Sequence, residues 1–270
     1  MDELALFAGA GGGILGGKLL GWRTICAVER NEYAASVLAQ RQNDGHLEPF
    51  PIWSNVCTFD GKPWRGRVDV VSGGFPCQDI SSAGKGAGIE GERSGLWMEM
   101  ARIVNEVRPR FVFVENSPVL TSRGLGRVLG DLASMGYDAE WGVVGAHHAG
   151  APHKRDRIWI VAAHANCERR REKQVTITRG QDPTELGDDG AKKPLADTKG
   201  FYVQGFNKKQ RERQSGGGSL WKTEPQLGRV AHGVANRVDR LKAIGNGQVP
   251  AVAALAWEIL TQRITDENHQ

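Results

Sequence analysis

Leu4-Ala5-Leu6-Phe7-Ala8, followed at once by Gly9-Ala10-Gly11-Gly12-Gly13, is the stretch that decides the fold. Five small or apolar residues read as a short buried strand, and the residues from Ile14 to Leu20 read as a helix that Gly21-Trp22 breaks. Strand, glycine turn and helix in that order open a βαβ unit. Glycines at 9, 11 and 13 let the backbone approach a nucleotide-like ligand, and the helix that follows adds the positive end of its dipole. The sixth position of the dinucleotide fingerprint is Ile14, so G-x-G-x-x-G is not met. Glu29 ends the next strand, Thr24 to Val28, where folds of this kind place an acid on ribose hydroxyls. A tight turn with a surface acid uses the same residues, so this segment alone leaves both readings open.

Working outward, the strands continue at Ile52 to Val56, Val68 to Val71, Phe111 to Val114 and Arg157 to Ala163. Helices are expected at Glu32 to Arg41 with Asn31 as cap, at Leu96 to Val107, and at Gly124 to Met135. Alternating strands and helices predict an α/β fold, a parallel sheet with helices on both faces. The alternation stops near Ala165. Residues 166–226 are polar and nearly aperiodic, with a flexible point at Gly216-Gly217-Gly218. Order resumes at Val238 to Leu241, and Pro250 opens a last helix through Ile264. The expected organisation is a catalytic and cofactor-binding body over 1–164, a short irregular segment over 165–227, and a return to the body over 228–270.

The chain has 270 residues, 40% hydrophobic and 24% charged, which suits one large globular domain with a full core. No run approaches about 20 consecutive apolar residues, so no membrane partner is expected. Asp2 and Glu3 precede the first strand and no basic leader is visible, which points to the cytoplasm. Cys26, Cys57, Cys77 and Cys167 are scattered, and neither they nor His147, His148 and His153 have zinc spacing, so no metal is expected. Residues 165–227 hold 13 Lys and Arg against 9 Asp and Glu, which is the whole of the chain's net charge of +4. A basic segment on a near-neutral body suits a polyanion, and a solvated insert has the same composition.

Four further stretches carry chemistry. Ser72-Gly73-Gly74-Phe75-Pro76-Cys77-Gln78 places a cysteine just past a strand end in a turn of small residues, suited to a nucleophile. A buried structural cysteine is the alternative. The residues after it, Ser81 to Gly95, hold Gly84, Gly86, Gly88, Gly91 and Gly95, as a loop that closes over a substrate would. Glu115-Asn116 ends a strand of the same sheet, where a carboxyl can serve a ring nitrogen, or be an ordinary strand-end acid. His153-Lys154-Arg155-Asp156-Arg157 offers guanidinium groups to a phosphate or base carbonyl, or is a solvated turn. Ala243-Ile244-Gly245-Asn246-Gly247-Gln248-Val249-Pro250 sets Asn246 between two glycines ahead of the last helix.

Taken in this order, the segments resemble the DNA (cytosine-5) methyltransferases, in a compact bacterial or phage-like form. The resemblance covers about residues 4–163 and 228–262. It rests on the glycine turn with Phe7, on Gly-Phe-Pro-Cys-Gln at 74–78, on Glu115-Asn116, on Pro152 to Trp159, and on Gly245 to Val249. Ser117 stands where the family usually has Val, and Asn55 ends the third strand where it usually has Asp. The resemblance implies a Rossmann-like sheet that binds S-adenosylmethionine, and an enzyme that methylates C5 of a cytosine flipped out of double-stranded DNA. It assigns attack on C6 to Cys77, stabilisation of protonated N3 to Glu115, and the O2 contact to Arg157, with Arg155 beside it in the catalytic set. Cofactor contacts carried over are Phe7, Gly9, Gly11, Glu29, Asn55, Pro76, Leu96 and Asn246. A short target-recognition segment at 165–227 and a nucleoid location also follow from the resemblance, a monomer is the default expectation, and a companion restriction endonuclease is left open. Two alternatives stand beside it: a tRNA cytosine methyltransferase, and a catalytically silent DNA-binding protein on the same scaffold.

Overall fold

β1 (Asp2–Leu6) is the central strand of the parallel half of the sheet, paired with β2 (Arg23–Val28) on one side and β4 (Val70–Gly73) on the other. The structure, a computed structural model, describes residues 1–76, 95–165 and 237–267. The chain divides into two units, residues 1–184 with 243–270, and residues 185–242. The sheet belongs to the first. Its seven described strands run in the order β3-β2-β1-β4-β5-β7-β6, with β3 at Ile52–Trp53, β5 at Phe111–Asn116, β6 at Tyr137–Val144 and β7 at Arg157–His164. All pairings from β3 to β5 are parallel, while β7 is antiparallel to both β5 and β6.

Alternation along the strands makes two cores. Leu4 and Leu6 join Val71, Val112, Val114, Ile158 and Ile160 on one face. There they meet α3 (Leu96–Val107) through Trp97, Met100, Ile103, Val104 and Val107, and α5 (Leu125–Ser134) through Val128 and Leu132. Spacings of three and four residues put these side chains on one stripe of each helix. Ala5 and Ala27 face the other way, with Ile14 of α1 (Gly12–Leu19) and Leu38 of α2 (Glu32–Asn43). On that second face the last helix, α7 (Pro250–Glu267), brings Trp257 edge-on to Trp22 at 4.6 Å and to Phe113 at 5.4 Å. α1 and α7 touch closely enough that a Cβ on Gly16 would lie 2.7 Å from the Cβ of Ala253, which explains a glycine inside a helix.

Two elements depart from the sequence reading. The third strand stops after two residues, because the side chain of Asn55 accepts a hydrogen bond from the Cys57 amide at 3.0 Å and starts a 3-10 turn, Val56–Thr58. The sheet is not wholly parallel. A short helix, α4 (Leu120–Arg123), and α5 carry the chain over to β6, and β7 returns between β6 and β5. β6, which the sequence reading passed over, is a half-exposed edge strand. The remaining helix, α6 (Arg237–Asn246), precedes α7. Among the described residues no helix is long and apolar enough to cross a membrane.

Candidate functional site

The chain leaves the carboxyl end of β1 towards β2 and the carboxyl end of β4 towards β5, so a crevice opens between two neighbouring strands. This is where open α/β sheets bind ligands. The crevice encloses about 400 Å3 open to solvent, and Phe7, Gly9, Ser72 to Gly74, Glu115 and Asn246 to Gln248 line it. Phe7 sits at φ 53, a left-handed conformation that an aromatic residue rarely adopts.

The glycines of the turn serve three different needs. Gly9, at φ +54, has nothing within 4 Å of where its Cβ would be, and its amide donates to Glu29 Oε2 at 2.7 Å. Glu29 Oε1 accepts from the Asn31 amide at 2.6 Å, which ties the turn to the start of α2. Asn31 caps that helix by accepting from Ala34 N at 2.9 Å, as its sequence position predicts. Gly11, at φ +85, leaves room for Leu38, whose Cδ2 would lie 2.7 Å from an added Cβ. Gly12 and Gly13 lie under Gln248: a Cβ on Gly12 would strike its carbonyl, and one on Gly13 would lie 2.5 Å from its Oε1.

Glu115 ends β5 and is only 9% exposed. Its Oε1 accepts from Arg157 Nε at 2.8 Å, and the Gln248 side chain also hydrogen-bonds to it. Burial pushes this carboxyl above its ordinary range, and the Arg157 and Arg155 charges and the two hydrogen bonds oppose that rise without cancelling it. The next residue, Asn116, donates from Nδ2 to the Phe75 carbonyl at 3.0 Å and so fixes the loop that leaves β4 against the end of β5. Phe75 packs against Trp97 of α3 with ring centroids 5.5 Å apart.

Arg155 adopts φ 41. Its Nη2 donates to the carbonyls of Ile244 and Gly245, each at 2.9 Å, and to that of Gly247. Carbonyls at a helix C-terminus lack intrahelical partners, and a guanidinium satisfies them while complementing the dipole. Burial, reinforced by the Arg157 charge, lowers the Arg155 pKa.

Of the residues singled out from the sequence, Phe7, Gly9, Glu115 and Asn246 share the crevice. Glu29, Arg157 and Arg155 adjoin it through the bonds just given. Gly11 lies behind the turn, Asn55 caps its 3-10 turn, and Leu96 starts α3 and packs against the core. Pro76 closes the first described segment, and Cys77, Gln78, the loop from Ser81 to Ser94 and residues 166–227 lie outside the described residues. Of the other cysteines, Cys26 is buried and its thiol is pushed up to about 11, while Cys57 is exposed. Gln248 is the site residue that sequence reasoning missed. The paired glycines at 12 and 13 are its signal, since they mark a close approach.

The profile of the C-5 cytosine-specific DNA methylases matches residues 1–265. The chain belongs to that family. It is 35% identical over 164 residues to the type II methyltransferase M.Eco47II of Escherichia coli, covering 59% of this chain and 38% of that one. Against M.PspPI of Psychrobacter sp. (strain TA137) it is 35% identical over 167 residues, covering 60% and 39%. The viral M.CviJI, from Paramecium bursaria Chlorella virus IL3A, is 32% identical over 167 residues, covering 61% and 44%. The chain thus spans 38 to 44% of the length of these three relatives. Among solved structures, the methyltransferase EhMeth of Entamoeba histolytica superposes with TM-score 0.52 at 17% identity, covering 60% of this chain and 52% of that one. A DNMT2 mutant of Spodoptera frugiperda gives 0.50 at 21%, covering 61% and 50%. These likenesses concern the fold.

Proposed function

We propose that this C-5 methylase transfers a methyl group to C5 of a cytosine flipped out of double-stranded DNA, through a covalent adduct with Cys77. The observation that carries the reading is Glu115: a buried carboxyl held by Arg157, at the edge of a strand-end crevice, and tied through Asn116 to the loop that leads into Cys77.

The crevice suits S-adenosylmethionine. Gly9 leaves open space, the Glu29 carboxylate stands at the turn as a partner for ribose hydroxyls, and Phe7 and Asn246 offer an aromatic face and an amide. That cofactor supplies an electrophilic methyl carbon on a sulfonium. C5 of cytosine is a poor nucleophile, so the pyrimidine must be activated first. The Cys77 thiolate forms a bond to C6, and N3 takes up the proton that Glu115 holds. Burial raises the Glu115 carboxyl above its ordinary range, which favours that donation. Arg157 neutralises the carboxylate left behind and directs its remaining donors to O2. C5, now enamine-like, would take the methyl carbon as the bond from that carbon to the sulfonium sulfur breaks, leaving the donor as a neutral thioether. A base removes the C5 proton, the S–C6 bond breaks, the thiolate is regenerated, and the N3 proton returns to Glu115. Arg155 acts at one remove, by fixing the loop of Asn246 to Gln248. Flipping the base costs a few kcal/mol, which the pocket contacts offset.

The basic segment at 165–227 is assigned to DNA recognition. Phosphate contacts release counterions, so DNA affinity should fall steeply with salt, and a flat response would count against that assignment. The reaction is tested by mapping 5-methylcytosine at single-base resolution in a methylation-deficient host that expresses the chain, beside a Cys77→Ala strain. Methylation at one short motif, absent in the variant, is the expected result. Methylation in the variant would overturn the adduct, and labelling of tRNA alone would move the substrate to RNA.

A further inference from the structure

We propose that Gln248 is a positioning residue for the Glu115 carboxylate, gripping it from the C-terminal loop on the side opposite Arg157. The proposal rests on the role given to Glu115 above. Gln248 is placed by three neighbours. Its backbone lies over Gly12 and its Oε1 over Gly13. A Cβ on Gly74 would lie 2.5 Å from Glu115 Oε2 and 3.1 Å from Gln248 Nε2, so the amide nitrogen and that carboxylate oxygen face the same small space. The nitrogen is the only end of the amide that can donate to a carboxylate. Arg157 meanwhile donates to Oε1. Arg157 and Gln248 thus give the same carboxyl one charged and one neutral donor.

The two grips share one origin. Arg157 reaches Glu115 directly from β7. Arg155, two residues earlier, ties down the carbonyls of Ile244, Gly245 and Gly247, and so holds the loop that carries Gln248. Gln248 also lines the same crevice as the glycine turn and Glu115. Among the described residues, the charged groups acting on Glu115 are Arg157 and Arg155. A neutral donor added to them favours the ionised form, so its removal should move the Glu115 titration to higher pH.

Gln248→Met keeps the volume and removes the donor. Carbon-13 titration of the Glu115 carboxyl, assigned with Glu115→Gln, reads the grip without DNA or cofactor. The expected midpoint in Gln248→Met is higher than in the parent protein. The kcat for methyl transfer should fall about tenfold, as for a lost hydrogen bond to a charged group, with cofactor affinity within about twofold. In a Glu115→Gln background the same substitution should cost nothing further. Gln248→Asn, which retracts the amide by one methylene, should move the titration in the same direction and guards against a folding failure of the first variant. An unchanged Glu115 midpoint in a folded variant, or a loss confined to cofactor affinity, would overturn the proposal. Absence of methyl transfer by the parent protein would overturn the functional reading instead, and the titration would still decide the role of Gln248.

Discussion

Glu3 and Glu115 are buried carboxyls at opposite ends of one sheet, Glu3 near the amino end of β1 and Glu115 at the carboxyl end of β5. Burial pushes both above the ordinary carboxylate range. Their partners differ. Glu3 accepts from two neutral hydroxyls, Thr24 Oγ1 at 2.7 Å and Ser72 Oγ at 2.6 Å, and so links β2, β1 and β4. Hydroxyls can donate or accept, so a protonated Glu3 is fully satisfied there. α1 closes over it, with Gly17 leaving 3.3 Å between an added Cβ and Glu3 Oε2. Glu115 has a cation, an amide and an open crevice. A raised pKa therefore does not mark a reactive acid by itself; the cation and the access do.

The comparison breaks most plainly on activity. Glu115→Gln should lower methyl transfer by about 100-fold or more, whereas Glu3→Gln should leave it within about twofold; equal losses in radiolabel transfer would refute the distinction. Removing the cation is the next largest effect. Arg157→Met leaves a buried carboxyl uncompensated and should cost about 3 kcal/mol in urea unfolding at neutral pH, much of it recovered when Glu115→Gln is added. Gly74→Ala drives a methyl towards Glu115 Oε2 and the Gln248 amide, and should reduce kcat by about tenfold while changing the unfolding midpoint little. If stability falls as much as activity, the neighbourhood of Glu115 is a packing site.

The smallest expected effect concerns Glu3 and depends on pH. Its folded pKa lies above the ordinary glutamate value of 4.5, so the folded chain holds the proton more tightly than the unfolded chain. That contribution is complete below about pH 4.5 and is lost as pH rises through the folded value. Glu3→Gln should therefore leave stability unchanged at pH 4 and raise it at pH 8. A gain at low pH instead would reverse the sign and contradict a protonated Glu3.

The parallel half of the sheet was readable because its strands are buried on both faces, and their apolar runs stand out between glycines and helices. β6 was not. Tyr137-Asp138-Ala139-Glu140-Trp141-Gly142-Val143-Val144 mixes charges and a glycine into a half-exposed edge, and strand direction leaves no local pattern. Val70, expected within a strand ending at Val71, lies in one that runs on to Gly73, where no side chain marks the end. Glu115 was legible because a carboxylate interrupts an apolar run at a strand end. Gln248 was hidden because its partners Gly12, Gly13, Gly74 and Glu115 are remote in sequence, and only the fold brings them together. Arg155 could be noticed as a cation, but not as one directed at the carbonyls of α6.

The crevice takes one wall from residues near 7 and another from residues near 248. On a ribosome adding about 5–20 residues per second, the glycine turn and Glu115 exist for many seconds before Gln248 is made. During that interval the nascent chain has its acid and its arginine pair but neither the amide grip nor the loop that closes the crevice. Assembly of the crevice therefore waits for synthesis of residue 248, and a product interrupted before it lacks one wall of the crevice.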